Sequence, residues 1–482
     1  SVARRLLAIL IFATAATTPA TAGPLPSPGR SAIQEVVATF QGSLPAMGPP
    51  PGRHAEPVLP HDLSEDEHWE KSAGAVHPAL RRRSLEPGLE RVLLVRQELG
   101  HRLHDLRQAV VSEVAGMVEE QSAYTEEWMD ALPRPAASIY SVPDRDRVTQ
   151  VPVLLYLLET IGYPDVAGLA DDLNNGFDML GPLRPGPGWR PRSDDKYSCP
   201  ATLETLRSAN LAYVTGKLRH GRPGPYAKEL LQEVVEESRL GRMIGPLRAP
   251  SYWPVKTVAL HDLAGMDCLL DPPAGDLFAA ASLAILQADE DGTDKIRRGE
   301  DWRRSSHNTT VAAGDVPTHH SVQDFVDIAL RLGESGHQCL AMGHDLNAAY
   351  RQFPVKHPGH SGTILHTEAG PTLWCHLAMC FGAAASVWNF NRAADAMQQL
   401  LRVLLLLLAG HYVDDFNAME ITSLAGSGFQ TLADLFHELG LRVKPSKAQP
   451  PQPEHTVQGV VFTIRPDGVE LRPTERLSLI HI

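Results

Sequence analysis

L-L-L-L-L-A-G-H-Y-V-D-D-F-N-A-M-E, running from Leu404 to Glu420, is the stretch on which the fold turns. An apolar run leads into two adjacent carboxylates, Asp414 and Asp415, and a mixed segment leads out. That pattern predicts a β-hairpin with the acids at its turn. Two ionised Asp side by side repel each other, so such a turn needs a compensating charge, and a bound divalent cation suits it. Taken alone, the dipeptide reads more readily as a solvated surface turn. Its surroundings reverse that preference. Upstream, Q-C-L-A-M-G-H-D-L-N-A-A-Y-R-Q-F-P-V (Gln338 to Val355) brings Asp345 to the end of another strand-like run. Between the two lies a helical stretch, Ala383 to Leu408, entered through Phe381-Gly382. A carboxylate on one strand and a pair on a neighbouring hairpin can meet at one point. Oxygen ligands in that arrangement can hold two Mg²⁺ ions, with Mn²⁺ as a substitute, for in-line nucleotidyl transfer.

At these residues the chain resembles a family. Y-V-D-D, preceded by D-L-N-A-A-Y-R-Q-F-P-V and F-G-A-A-A-S-V-W-N-F, is similar to the palm of a retroelement reverse transcriptase, an RNA-directed DNA polymerase. K-I-R-R-G-E-D-W-R (Lys295 to Arg303) with Asn308 resembles that family's fingers segment. G-L-R-V-K-P-S-K-A-Q (Gly440 to Gln449) resembles its lysine-bearing segment, and V-Q-G-V-V-F (Val457 to Phe462) the strand that grips the primer. The motifs are collinear between about residues 230 and 475.

The resemblance implies an α+β fold. Its centre is a polymerase palm, a split β-α-β antiparallel sheet with helices on one face, joined to fingers and preceded by a mostly helical N-terminal region. It makes Asp345, Asp414 and Asp415 metal ligands, with the Leu346 carbonyl touching a metal. Lys447 becomes a general acid near the pyrophosphate. Phe381 and Gly382 would lie beneath the nucleotide and template, and Gly459 would mark the primer-gripping turn. Lys295 and Arg297 share one face of their strand and are suited to clamp a triphosphate; the plain alternative is a solvated basic strand. Tyr350, beside the small Ala348 and Ala349, would pack on the incoming sugar and exclude a 2′-hydroxyl; the plain alternative is a core tyrosine. The implied partners are an RNA or DNA template with its primer, and dNTPs.

The chain also departs from the family pattern. Ala348 stands where a second acid is common, and Cys380 and Val387 stand where prolines are usual. No ribonuclease H, protease, integrase or recombinase signature is visible. Two other readings stay open. One is a decayed or domesticated copy that binds nucleic acid or partners without turnover. The other is an RNA-templated RNA polymerase, which Tyr350 and Y-V-D-D disfavour.

Composition bounds the rest. The 482 residues allow two or three domains, and 43% apolar with 21% charged residues is the balance of a globular protein. Lys and Arg number 44 against 57 Asp and Glu, a formal charge of −13, which argues against tight phosphate binding without a further domain. The five Cys form no C-x-x-C pair and read as reduced core thiols of an intracellular protein, in nucleus or cytoplasm. Val2 to Gly23 has the outline of a signal or transit peptide, or else is an arbitrary apolar segment. No other run is long enough to cross a bilayer, so no stable membrane partner is expected.

The expected domains are an apolar N-terminus and Pro/Gly-rich, disordered linker (1–84), a helical region (85–200), fingers (201–337) and palm (338–475). A non-native tail (476–482) follows, where the family's thumb would begin. An apolar stripe from Leu85 to Leu132 predicts one or two helices, ended by Pro133 and Pro135, that serve packing or self-association. A second helical segment fills 150–185 and leads into D-L-N-N-G-F-D-M-L-G-P-L (Asp172 to Leu183). The Pro/Gly loop from Pro185 to Pro200 reads as a boundary, and 201–240 as helical. Two strands, Leu283 to Gln287 and Lys295 to Arg303, flank a turn with Gly292 at its tip. A helix spans Val322 to Leu332. The palm order is strand 339–346, helix 385–402, hairpin 405–419, helix 428–439 and hairpin 456–471.

Overall fold

A computed structural model describes residues 31–42, 64–74, 84–141, 147–254, 256–257, 269–288 and 294–475. The leader-like stretch Val2 to Gly23, Cys268, the Gly292 tip and the L-S-L-I-H-I tail lie outside the described residues.

Among the described residues eight α-helices come first: α1 (Ala32–Gly42), α2 (Glu65–Gly74), α3 (Pro87–Leu99), α4 (Leu103–Ser122), α5 (Thr125–Ala131), α6 (Arg134–Tyr140), α7 (Val151–Thr160) and α8 (Val166–Asn175). α1 corrects the expectation of disorder before residue 84. Ile33, Val36, Val37 and Phe40 recur at helical spacing and are all buried, a stripe that the surrounding Pro and Gly obscure. The stripe of α3 and α4 is buried as its periodicity predicts, through Leu89, Val92, Val95, Leu99, Leu103, Leu106, Val110 and Val114. These residues join the same core as Leu405 to Ala409, so the stripe is covered within the chain. α5 ends at Ala131 with Leu132 extended ahead of Pro133, as expected, and Pro133 and Pro135 also open α6, because a proline is tolerated in the first helical turn.

The remaining elements are β1 (Arg190–Pro191), α9 (Leu203–His220), α10 (Ala227–Arg239), β2 (Met243–Ile244), β3 (Ala279–Ala288), β4 (Asp294–Glu300), β5 (Asp315–Val316), α11 (Val322–Glu334), β6 (Cys339–Asp345), β7 (Gly362–Thr367), β8 (Gly370–His376), α12 (Ala384–Leu404), β9 (Leu408–Tyr412), β10 (Asp415–Ile421), α13 (Ala425–Glu438), β11 (Gln449–Gln452), β12 (Glu454–Val457), β13 (Val460–Arg465) and β14 (Gly468–Pro473). The architecture is mixed α+β. One sheet has the order β11-β6-β10-β9, a second β12-β13-β14, a third β2-β8-β7-β3-β4, and β1 pairs with β5. The Pro185–Pro200 loop is not a free boundary. Trp189 donates to Asp395 of α12 at 2.6 Å, and Tyr197 meets Trp388 edge-on at 5.6 Å.

Register decides what each face of the β11-β6-β10-β9 sheet carries. His344 pairs with Phe416 and Met342 with Ala418, so these four share one face. α13 packs there, with Phe429 stacked on His344 at 4.3 Å and Phe436 edge-on to Phe416 at 5.1 Å. α12 reaches the same face through Asp395, 2.8 Å from His411. The opposite face carries Gly343, Asp345, Asp415 and Asn417. It is covered in part by β12, whose His455 bonds Asn417 at 2.7 Å, and by His320 ahead of α11. Phe325 of α11 stacks on Phe462 of β13 at 6.4 Å. Helices therefore lie on both faces, against the expectation of one. The uncovered part of the second face is the end that carries the acids.

Candidate active site

β6 ends in Asp345 and β10 begins with Asp415, and the antiparallel register sets the two directly opposite. Residues so paired have Cα atoms about 4.5–5.5 Å apart, with side chains on one face. Tyr412 pairs with Asp415, leaving Val413 and Asp414 as a two-residue turn. Val413 takes φ +53°, a left-handed conformation that costs a β-branched residue free energy and persists only where the surroundings impose it. Here they do. Leu346 N donates to Asp414 O at 3.1 Å. His411 holds Val413 O through Nδ1 at 3.1 Å and Asp395 Oδ1 through Nε2 at 2.8 Å. Trp189 fixes the other oxygen of Asp395.

The acids repel one another within this frame. Burial raises Asp414 above the ordinary carboxylate range, and the neighbouring Asp345 raises it further. Burial, then Asp345 and Asp414, push Asp415 up to about 6. Lys447 supplies the nearby cation, with Nζ 2.5 Å from Asp345 Oδ2. Burial works against that ammonium, yet Asp345, Asp415 and Asp414 outweigh it and raise Lys447 above its ordinary value. The other oxygen of Asp345 is buried without a hydrogen-bond partner. Hard oxygen donors with an orphaned lone pair are the donor chemistry of Mg²⁺ or Mn²⁺. Among the described residues no three His, Cys, Asp or Glu side chains close into a cation cage, and the charge that Asp345 keeps is Lys447.

Leu346 is buried and bridges Val443. Ala348 is left-handed at φ +48°, and Ala349 then opens a short 3₁₀ turn to Gln352. Tyr350 on that turn is buried, 5.2 Å from both Phe381 and Phe390 by ring centroid. Burial, then Asp414 and Tyr412, push its hydroxyl up to about 12. Phe381 is exposed and Gly382 takes φ +78°. Trp302 Nε1 donates to Phe381 O at 2.8 Å, and Asn308 bonds Gly382 O at 3.4 Å and Ala384 N at 3.0 Å. The segment after β4 thus braces this loop.

Lys295 and Arg297 stand exposed on one face of β4. Gly459 (φ +78°) and Gln458 (φ +52°) form the tight turn between β12 and β13, and Gln458 Nε2 ties it to His320 O at 2.7 Å. The structure therefore gathers Asp345, Asp414, Asp415 and Lys447 at one turn and sets Tyr350 against Phe381. Sequence reading missed Trp189, Asp395, His411 and Gln352, which hold these groups. Only His411 carried a signal, two residues before the strained Val413.

Cys339, Cys375 and Cys380 are buried free thiols, but Cys199 is exposed and not a core thiol. Among the described residues no helix is long and apolar enough to cross a membrane.

No family model matches the chain, and no curated protein matches it. Solved structures do. A foamy viral protease-reverse transcriptase in complex with dsDNA is 16% identical over 52% of this chain and 43% of that chain, at a TM-score of 0.35. The same kind of protein in complex with an RNA/DNA hybrid is 15% identical over 54% of this chain and 28% of that one, at 0.37. The native prototype foamy virus protease-reverse transcriptase is 15% identical over 52% and 28%, at 0.33. The chain spans less than half the length of each of these proteins.

Proposed function

We propose that the chain is an RNA-directed DNA polymerase of a mobile retroelement, with 338–475 as its palm and 201–337 as its fingers. The observation that carries this is the convergence of Asp345, Asp414 and Asp415 with Lys447 at the open end of one sheet. In the proposed reaction a primer 3′-hydroxyl gives up its proton to water, its oxygen attacks the α-phosphorus of a dNTP, the bond to pyrophosphate breaks, and a phosphodiester forms. Mg²⁺ held by the three carboxylates would supply Lewis-acid activation and charge neutralisation. Lys447 gives a proton to the leaving pyrophosphate oxygen. Tyr350 lies against the sugar where a 2′-hydroxyl would collide with its ring. Lys295 and Arg297 reach the triphosphate from the fingers strand. Phe381 and Gly382 floor the nucleotide, and the Gly459 turn holds the primer.

A second reading, a nucleic-acid binder without turnover, is favoured by the Lys447–Asp345 ion pair, which takes an oxygen that a cation would need. Primer extension on an RNA template separates the two. The full chain should extend a primer with dNTPs in Mg²⁺ and stop with a chelator; a chain that binds the primer–template but never extends it fits the second reading. Tyr350→Ala should raise ribonucleotide over deoxyribonucleotide incorporation in a competition on one primer. An unchanged ratio would make Tyr350 a core residue.

A further inference from the structure

We propose that Gln352 is a positioning residue that fixes the register between the turn after Asp345 and the segment that returns Lys447 to it. Gln352 is fully buried at the end of the 3₁₀ turn Ala349–Gln352. Its Nε2 donates to Asn347 O at 2.9 Å and to Arg442 O at 3.1 Å, and its Oε1 accepts from Arg442 N at 2.9 Å. One side-chain amide therefore spans both segments and takes both backbone groups of Arg442.

The neighbouring backbone follows that register. Asn347 N donates to Arg442 O at 2.9 Å, Leu346 bridges Val443, and Lys444 N donates to Asp345 O at 2.7 Å. The 3₁₀ turn Pro445–Lys447 then swings Nζ back to Asp345 Oδ2. A slip of one residue between these segments would carry Lys447 about 3.3 Å along the chain direction, away from the same oxygen. Few side chains could prevent the slip. An apolar residue of equal volume would fill the space at no polar cost but would accept any register. The glutamine must find all three partners, because a buried amide left unpaired is costly. The bonds of Gln352 match one alignment of the two segments, and that alignment puts Lys447 on Asp345.

The consequence for turnover rests on the polymerase reading; the consequence for Lys447 does not. The test uses the full chain, with Gln352→Met and the gentler Gln352→Asn. The first readout is the rate at which an amine-acylating reagent labels Lys447, relative to exposed Lys228, by peptide mass spectrometry. It should rise at least about threefold in a variant that melts as the unaltered chain does, because an amine released from its ion pair is freer to react. The second is single-nucleotide extension. kcat should fall at least about tenfold with KM for the dNTP little changed, and the fall should vanish when Lys447→Ala is already present, as coupled sites require. Unchanged labelling, or losses that simply add with Lys447→Ala, overturns the proposal. So does failure of both variants to fold, since Gln352 would then be a structural residue. A chain that extends no primer defeats the polymerase reading, while the labelling result still decides the role of Gln352.

Discussion

Asp415 opens β10 and Glu420 stands near its other end, and the fold treats the two carboxylates in opposite ways. Glu420 is fully buried and ion-paired to both Arg96 of α3 and Arg107 of α4. The same arginines hold the carbonyls of Leu405 and Leu406, which lead into β9. Burial works against the charge of Glu420, yet Arg96 and Arg107 outweigh it and keep its carboxyl below the ordinary range. Asp415 reaches solvent at the turn, yet the packing around its carboxyl strips part of its hydration, and with two other acids facing it the group is pushed up. One end of the strand joins the N-terminal helices to the sheet. The other end keeps like charges side by side, with one ammonium, Lys447, among three carboxylates. The difference teaches that carboxylates alone mark nothing here; what separates the ends is whether the protein has supplied their partners.

The stability predictions run from the largest effect to the smallest. Removing the paired end comes first. Glu420→Ala leaves two buried guanidinium groups without their anion, and breaking a buried pair in this way costs about 3–5 kcal/mol. Chemical denaturation should show that loss; a loss under about 1 kcal/mol would mean the arginines find other partners and would dissolve the contrast.

Acid titration comes next, through two more paired carboxylates. Burial alone would raise Glu237 and Glu300, but Arg351 and Arg242 at the first, and Arg298 and His376 at the second, pull both down to about 2. The unfolded chain takes up these protons near the ordinary 4.5, before the folded chain does. Their stabilisation is thus complete above that value and lost as pH falls from 4.5 toward 2. Buried His376, pushed down to about 4, adds a loss of the same sign between about 6.5 and 4. Melting temperature should fall on acidification through both windows; a flat profile from pH 6.5 to 4 would contradict the burial of His376, and one from about pH 4.5 toward 2 would contradict the pairing.

The smallest effect has the opposite sign. Asp415→Asn removes a like charge from a cross-strand pair and should stabilise the fold at neutral pH by up to about 1 kcal/mol. A clear destabilisation would show that Asp415 has a structural partner.

The same contrast explains what was legible in the sequence. The acid end was, not through the Asp pair alone, which reads as a solvated turn, but because Asp345 closes a second strand-like run within the same stretch of chain. The stripes of α3 and α4 were legible by period. The partners of Glu420 were not, since a buried Arg96 or Arg107 reads like any solvated arginine on a helix. The β7–β8 hairpin was also missed. Ile364, Leu365, Leu373 and Trp374 are all buried, so neighbouring residues along each strand are covered together and the polar alternation of a half-exposed hairpin is absent. Helices on the second face of the sheet were hidden because α11 was recognised as a helix without any sign of what it covers. Gln352 lay in plain view in the Asp345 motif, yet nothing in a sequence distinguishes a glutamine with three buried bonds from one in water.

The most direct test of the acid end is Asp414→Asn, followed by primer extension and by melting. Extension in Mg²⁺ should fall by about 10²–10³, the scale of losing one key electrostatic group, while the melting temperature holds or rises. Extension equal to that of the unaltered chain would contradict the assignment of the acids.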